Sequence, residues 1–263
     1  MACVTLLSDF GLQDASVASV KGILLQQGPT LPIVDISHLT EPFHLQQAAY
    51  LLVSAYRNFP PGSCHVILLD IFSEKTPRLL LAEKDGHYFL SPDNGLLSIA
   101  FGTDIEKVWN CYELKAPGIF KDWMRRIAEL VKELQTKKAA ELKLEVYELK
   151  NLTKNFQPLI KPDHVECQVI HIDRYENVII NITEQQFHQF RNGRHFRIQF
   201  MRDEEITEIS RHYNDVREGE KLCRFNSNGY MEIALNRSKA AGLFGLRLSG
   251  ESNIYYTIKI FFE

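Results

Sequence analysis

Cys3-Val4-Thr5-Leu6-Leu7, followed at once by Ser8-Asp9-Phe10-Gly11, decides how this chain reads. An apolar, β-prone run of five residues breaks off in a polar turn. A helical stretch over 15–27 follows and stops at Gly28-Pro29. The same alternation then repeats. Pro32-Ile33-Val34-Asp35-Ile36 reads as a second strand, 45–55 has helical spacing, and Phe59-Pro60-Pro61-Gly62 leads into a third strand over 65–69 that ends at Asp70. Strands over 78–83 and 88–90 flank the turn Lys84-Asp85-Gly86, and a long helix rich in basic residues spans 120–140. This pattern predicts an α/β N-terminal domain over 1–150, a mostly parallel sheet with flanking helices.

The remainder has another texture. Residues 151–163 contain Pro158 and Pro162 without clear periodicity and read as a linker. Short β-type runs follow at 166–172, 178–182, 195–200, 230–235 and 254–262, several of them separated by Asn192-Gly193, Asn228-Gly229 and Ser249-Gly250. They predict an all-β C-terminal domain over 164–263, a small barrel or sandwich.

Composition narrows the function. The chain has 263 residues, 45% hydrophobic and 24% charged, enough to bury a sizeable core. A net charge of -3 offers no footprint for a nucleic-acid backbone. No run approaches ~18 apolar residues, so no membrane span is expected. Neither does the opening segment read as a signal peptide. Five dispersed cysteines without a CxxC pair read as reduced thiols of a cytoplasmic protein. The nine histidines do not fall at metal-ligand spacing, so no metal is expected. GxSxG, GxxxxGK[ST] and GxGxxG are all absent.

Polar residues gather where strands end. Asp9 follows the first strand and Asp70 the third, where open parallel sheets bind ligands. Each carboxylate also suits a helix cap. Pro92-Asp93-Asn94-Gly95 is explained equally well as a turn. Between two later strands, His171-Ile172-Asp173-Arg174-Tyr175-Glu176-Asn177 crowds an aspartate, an aromatic ring and an amide into one loop. That set suits a flat polar ring such as adenine, and it also suits a solvated loop. The basic run from Arg125-Arg126 to Lys137-Lys138, interleaved with Glu129 and Glu133, reads as a solvated helix face.

Taken in order, these segments resemble the S-adenosylmethionine hydrolase (hydroxide adenosyltransferase) family, which shares its fold with fluorinating and chlorinating enzymes. The resemblance lies in Leu6-Leu7-Ser8-Asp9-Phe10-Gly11 with Asp14 and Lys21-Gly22, and in Ile33-Val34-Asp35-Ile36-Ser37-His38 with Pro42. It continues in Phe59-Pro60 and Gly62, in Pro92-Asp93-Asn94-Gly95-Leu96, and in Ile172-Asp173-Arg174-Tyr175-Glu176-Asn177 with Asn181-Ile182. Glu232-Ile233-Ala234-Leu235-Asn236 with Ala240-Ala241 and Leu246 closes it. The resemblance implies a homotrimer whose nucleoside ligand sits between the N-terminal domain of one subunit and the C-terminal domain of its neighbour. It implies that water attacks the ribose 5′ carbon of S-adenosylmethionine, a substrate needing no cofactor, and releases adenosine and methionine.

By the same resemblance Asp70 is the proton acceptor and Arg78 pairs with it and keeps it ionised. Asp9 receives the ribose hydroxyls, Tyr175 lies against adenine, and Asn177 and Asn236 bond polar ligand edges. Asp173 receives the ammonium group, and Phe10, Asp14, Asp93 and Asn94 complete the ligand-binding set.

Three departures stand out. The stretch Asp70-Ile71-Phe72-Ser73-Glu74-Lys75-Thr76-Pro77-Arg78 lacks the family's glycine-rich turn and sets its arginine one position late. Lys121 or Asp122, in Gly118-Ile119-Phe120-Lys121-Asp122, replaces the family histidine. Glu176 replaces the glycine of the aromatic loop, which brings negative charge toward the ligand. A catalytically impaired binder of S-adenosylmethionine or adenosine is therefore the competing reading, with halogenation a third.

Overall fold

A computed structural model describes residues 2–114, 120–149, 156–201, 204–248 and 257–263. The chain divides into two compact units, Met1–Thr153 and Lys154–Glu263.

In the first unit the elements run β1 (Val4–Ser8), α1 (Ser16–Gln27), β2 (Ile33–Ser37), α2 (Leu45–Tyr56), β3 (Cys64–Leu68), β4 (Arg78–Lys84), β5 (His87–Pro92), α3 (Leu96–Phe101), β6 (Lys107–Glu113), α4 (Phe120–Leu134) and β7 (Glu145–Val146). The strand order is β2-β1-β3-β5-β4-β6-β7. Side chains alternate between the faces of each strand. Leu6, Val66 and Leu90 pack with α1 and α4 through Val20, Leu24, Trp123 and Ile127. Leu7, Ile67 and Phe89 pack on the other face with α2 and α3 through Ala48, Leu52, Leu96 and Leu97. Both faces of β1 and β3 are buried, so these strands read as mostly apolar runs without alternation. Burying a leucine or isoleucine is worth about 1.5–3 kcal/mol, and a one-residue slip would move each to the wrong face.

The sheet is mixed, which corrects the expectation of a mostly parallel one. The pairs β1–β2, β1–β3 and β3–β5 are parallel, while β4–β5, β4–β6 and β6–β7 are antiparallel. The cause is local. Asp85 (φ 51°) and Gly86 (φ 74°) both adopt left-handed backbone, and two such residues make a tight hairpin between β4 and β5. A hairpin that short permits only antiparallel pairing. The expected helix over 120–140 ends at Leu134 and resumes as a 3-10 turn, Ala139–Leu142. Its buried residues Trp123, Met124, Ile127, Ala128, Leu130, Val131 and Leu134 face the sheet, while Arg125 is exposed.

In the second unit an antiparallel sheet follows the order β12-β11-β15-β9-β10-β14-β13. Its elements are β8 (Leu159–Ile160), β9 (His164–Ile172), β10 (Val178–Thr183), α5 (Glu184–Arg191), β11 (Phe196–Met201), β12 (Glu204–Ile206), β13 (Lys221–Phe225), β14 (Tyr230–Leu235), α6 (Ala240–Phe244) and β15 (Thr257–Phe262). The edges approach closure. Past β12, Ile209 bridges Cys223 of β13, and Ser210 N–H donates to the Cys223 carbonyl at 2.8 Å. The inward faces, including Val169, Ile180, Ile198, Ile233 and Ile260, make one core with the fully buried Phe187.

Leu159–Ile160, inside the stretch read as linker, pairs with β9. The flanking Pro158 and Pro162 lack an N–H, which an edge position tolerates. Part of that stretch, 151–155, lies outside the described residues, as do Ser249-Gly250 and the first residues of the strand expected over 254–262.

One polar chain crosses the first core. Thr5 Oγ1 and His65 Nδ1 are 2.7 Å apart, and His65 Nε2 lies 3.1 Å from His87 Nδ1. Burial, aided by the neighbouring His87, holds the His65 imidazole down at about 3. Unfolded, it titrates near 6.5. The unfolded chain therefore takes up the proton first, and this contribution to stability is lost as pH falls from 6.5 toward 3. His65→Gln, which keeps hydrogen-bonding capacity, is expected to flatten the acid side of the stability curve. Urea melts at stepped pH test this, and an unchanged slope would refute it.

Candidate functional site

The parallel half of the sheet brings β1, β3 and β5 side by side, with their carboxyl ends at one edge. Asp9 leaves β1 there, Asp70 leaves β3, and Asp93 leaves β5. Adjacent strands lie about 4.8 Å apart, so three carboxylates follow one another along that edge.

Their surroundings differ. Asp9 Oδ2 accepts the Phe43 N–H at 3.2 Å, which ties the loop after β2 to the end of β1. Behind it Ser8 Oγ and His38 Nδ1 are 2.6 Å apart, and Gly11 N–H donates to the His38 carbonyl at 2.7 Å. Asp70 is half-buried with a left-handed φ of 44°, a backbone that only a few non-glycine residues adopt. Burial, and then the charge of Asp9, push its carboxyl above the usual range. No cation pairs with Asp70 among the described residues.

Arg78 is engaged elsewhere, which corrects the expected Arg78–Asp70 pair. Its Nη1 lies 3.2 Å from Asp93 Oδ2. Tyr147, which no sequence pattern singled out, donates its hydroxyl to the same oxygen at 2.6 Å and accepts from Arg78 at 3.3 Å. Strand order is the reason: β5 lies between β3 and β4, so Asp93 meets the β4 arginine first. Ile71, Ser73, Thr76, Arg78 and Asp93 line a cavity of about 10 Å³ beneath this pair.

The other expected residues of this unit hold structure together. Asn94 donates from Nδ2 to the Leu69 carbonyl at 2.8 Å and accepts the Leu96 N–H at 3.1 Å, clasping the end of β3 to the start of α3. Asp14 is exposed and accepts the Ser16 N–H at 2.8 Å as α1 begins. Phe10 packs edge-on against Phe120 at 5.7 Å. Lys121 is exposed, and Asp122 pairs with Arg125 at 3.3 Å on its own helix. Gly118 and Ile119 lie outside the described residues.

The second unit contributes a pocket of about 650 Å³, within the usual range for small-molecule sites. Arg174, Tyr175, Asn177, Tyr213, Leu235 and Asn236 are among its walls. Tyr175 is 76% exposed and free to meet a ring. The Asp173 carboxylate already accepts three hydrogen bonds, from Tyr175 N–H and Asn177 N–H at 2.9 Å and from Asn177 Nδ2 at 3.0 Å. Asp173 and Asn177 thus shape the loop with the atoms expected to face a ligand. Asn236 Nδ2 donates to the Val216 carbonyl at 2.8 Å, so its amide also anchors a neighbouring loop.

The glutamate that stands for glycine has a structural explanation. Glu176 adopts φ 62°, its carboxylate accepts the Gly242 N–H at 3.0 Å, and it pairs with Lys239 at 2.7 Å. Lys239 holds that carboxyl below its ordinary value and cancels the charge expected to reach the ligand. Among the described residues no three histidine, cysteine or acidic side chains are grouped to hold a metal ion. No helix among them is long and apolar enough to cross a membrane.

Comparison with known proteins places the chain in a family. The profile of the SAM hydroxide adenosyltransferase N-terminal domain matches residues 4–131, and that of the C-terminal domain matches residues 167–252. The (R)-S-adenosyl-L-methionine hydrolase of Methanocaldococcus jannaschii is 27% identical over 96% of this chain and 95% of its own. The protein of the same name from Thermus thermophilus is 28% identical over 94% and 97% respectively. A crystal structure of an uncharacterized conserved protein from Thermotoga maritima superposes with a TM-score of 0.76 at 24% identity, covering 98% of this chain and 99% of that one, and shares the fold.

The electrostatic pairing of Asp9 with Asp70 gives a direct expectation. Asp9→Asn removes the like charge, and the Asp70 carboxyl should then titrate at lower pH. Carboxyl-carbon NMR titration measures this, and an unmoved Asp70 would disprove the coupling.

Proposed function

The chain belongs to the SAM hydroxide adenosyltransferase family, and on that premise we propose that it hydrolyses S-adenosylmethionine to adenosine and methionine. The observation that carries the proposal is Asp70, a half-buried carboxylate without a cation, set beside Asp9 at the carboxyl edge of parallel strands. Two relatives bearing the hydrolase name are matched over nearly their whole length. Their names specify the (R) configuration at sulfur, and we carry that substrate epimer over to this chain.

The chemistry asks for little. Water attacks C5′ in line with sulfur, the C5′–S bond breaks, and its electron pair neutralises the sulfonium as methionine leaves. The spare proton of the attacking water passes to Asp70. A base whose pKa lies above the ordinary carboxylate range is better matched to that transfer. Neither metal nor cofactor is required, because the sulfonium is already a good leaving group. Asp9 receives the ribose hydroxyls, and the pocket of the second unit receives adenine against Tyr175.

The active form on this reading is a homotrimer in which a neighbouring copy completes each site. Two features support it. Leu12, Leu39, Phe43 and Phe72 are exposed in the loops that follow β1, β2 and β3, next to Asp9 and Asp70. Arg174 lines the pocket of the second unit, opposite in sign to Asp9 and Asp70. All five cysteines are free thiols, as suits a cytoplasmic protein.

A second reading is favoured by one observation. Arg78 is held on Asp93, which leaves Asp70 without the cation the family resemblance implies. On this second reading the protein binds the nucleoside without turning it over. Incubation with each sulfonium epimer, followed by chromatography for adenosine, separates the two. Turnover that falls about a hundredfold or more in Asp70→Asn is expected for the hydrolase. Tight calorimetric binding without adenosine release would establish the binder instead.

A further inference from the structure

One wall of the pocket in the second unit comes from a residue whose position its own backbone does not dictate. Tyr213 opens a 3-10 turn, Tyr213–Asp215. That turn is fixed at its start by Asp215, which accepts the Arg211 N–H at 2.8 Å and the His212 N–H at 3.0 Å. The ring is fixed from a different part of the chain. Its hydroxyl donates to Glu232 Oε1 at 2.6 Å, and the Arg224 guanidinium lies over it, 4.8 Å from the centroid. Arg224 on β13 and Glu232 on β14 are direct cross-strand partners, so the two groups hold the ring as one clamp.

Glu232 is an unusual residue to find there. It is 4% exposed, and burying an acid is costly. Burial raises its carboxyl above the ordinary value, the hydrogen bond from Tyr213 lowers it, and the charge of Asp173 raises it further. Burial, and then the bond to Glu232, push the Tyr213 phenol up to about 12, so it remains a donor at neutral pH. A buried acid beneath a pocket of about 650 Å³ thus serves one partly exposed ring in the pocket wall.

We propose that Glu232 is a positioning residue, holding Tyr213 with the help of Arg224 as a fixed wall for the flat ring of a bound nucleoside. The inference deepens the proposed function and rests on adenosine entering this pocket. A loose tyrosine on a turn would have to be ordered at each binding event, at an entropic cost to affinity. Glu232 meets that cost during folding.

Calorimetric titration of the full chain with adenosine, with a thermal melt of each variant, tests the role. Tyr213→Phe keeps the ring and removes its anchor, and should lose about tenfold in affinity. Glu232→Ala should lose a similar factor, whereas Glu232→Gln, which retains an acceptor, should stay within about threefold of the parent. Adding Glu232→Ala to Tyr213→Phe should cost nothing more, because the acid acts through the phenol. Adenosine binding unchanged in Tyr213→Phe overturns the proposal, and so do losses that add in the double variant. Tyr213→Phe removes one partly exposed hydroxyl and decides the matter even where Glu232→Ala fails to fold. A parent protein that binds no adenosine overturns the proposed function itself, and this inference with it. Binding by the parent with indifferent variants overturns the positioning role alone.

Discussion

The order β1-β3-β5-β4 constrains the first unit more than any single contact. It sets the carboxyl ends of three parallel strands next to one another, and each hands an aspartate to the same edge. Like charges so placed cannot all be stabilised alike. Asp93 at the β5 end takes the arginine and a tyrosine hydroxyl, while Asp70 is left facing the charge of Asp9. Burial, and then the charge of Asp9 across the neighbouring strand end, raise the Asp70 carboxyl above its ordinary value.

That division of partners bears on the chemistry. An arginine beside Asp70 would stabilise its charge and weaken it as a base. Held on Asp93 by Tyr147, Arg78 instead closes the loop over 71–78 against the end of β5. In the proposed hydrolysis the proton then goes to a carboxylate without a cation, which suits a reaction whose leaving group departs without help. The same arrangement removes the orienting partners that the family resemblance implies, so the hydrolase and the binder differ by little in structure.

The second unit solves a different problem, that of holding exposed aromatic rings in place. Asp173 and Asn177 spend their polar atoms on their own loop and give Tyr175 a firm base. Glu176 takes a backbone conformation suited to glycine, and its carboxylate binds Gly242 and Lys239. Backbone strain of this kind costs on the order of 1–3 kcal/mol and persists only where the surroundings over-determine it. Tyr213 is held from beneath by a buried acid. Each ring is fixed by polar side chains of its own loop or of the adjoining strands.

Much of this was legible in the chain. The apolar runs, the Gly-Pro and Asn-Gly punctuation and the strand-terminal position of Asp9 and Asp70 are local signals, and β1, α1, β2, α2 and β14 fall within a residue or two of their predicted bounds. One local signal gains its meaning only from the fold: Thr183 with Gln186, a reciprocal capping box that starts α5. Nothing local announced β6 or the short α3. What the sequence by itself determined was where the strands and helices of the core lie, because burial demands continuous apolar runs or a period of two or 3.6 that a local window reveals. Only the tertiary structure decided the partners: Arg78 to Asp93, Tyr147 to both, Glu232 to Tyr213. Those pairs join residues 15 to 69 positions apart, and such distances close only when strand order and loop path are fixed together.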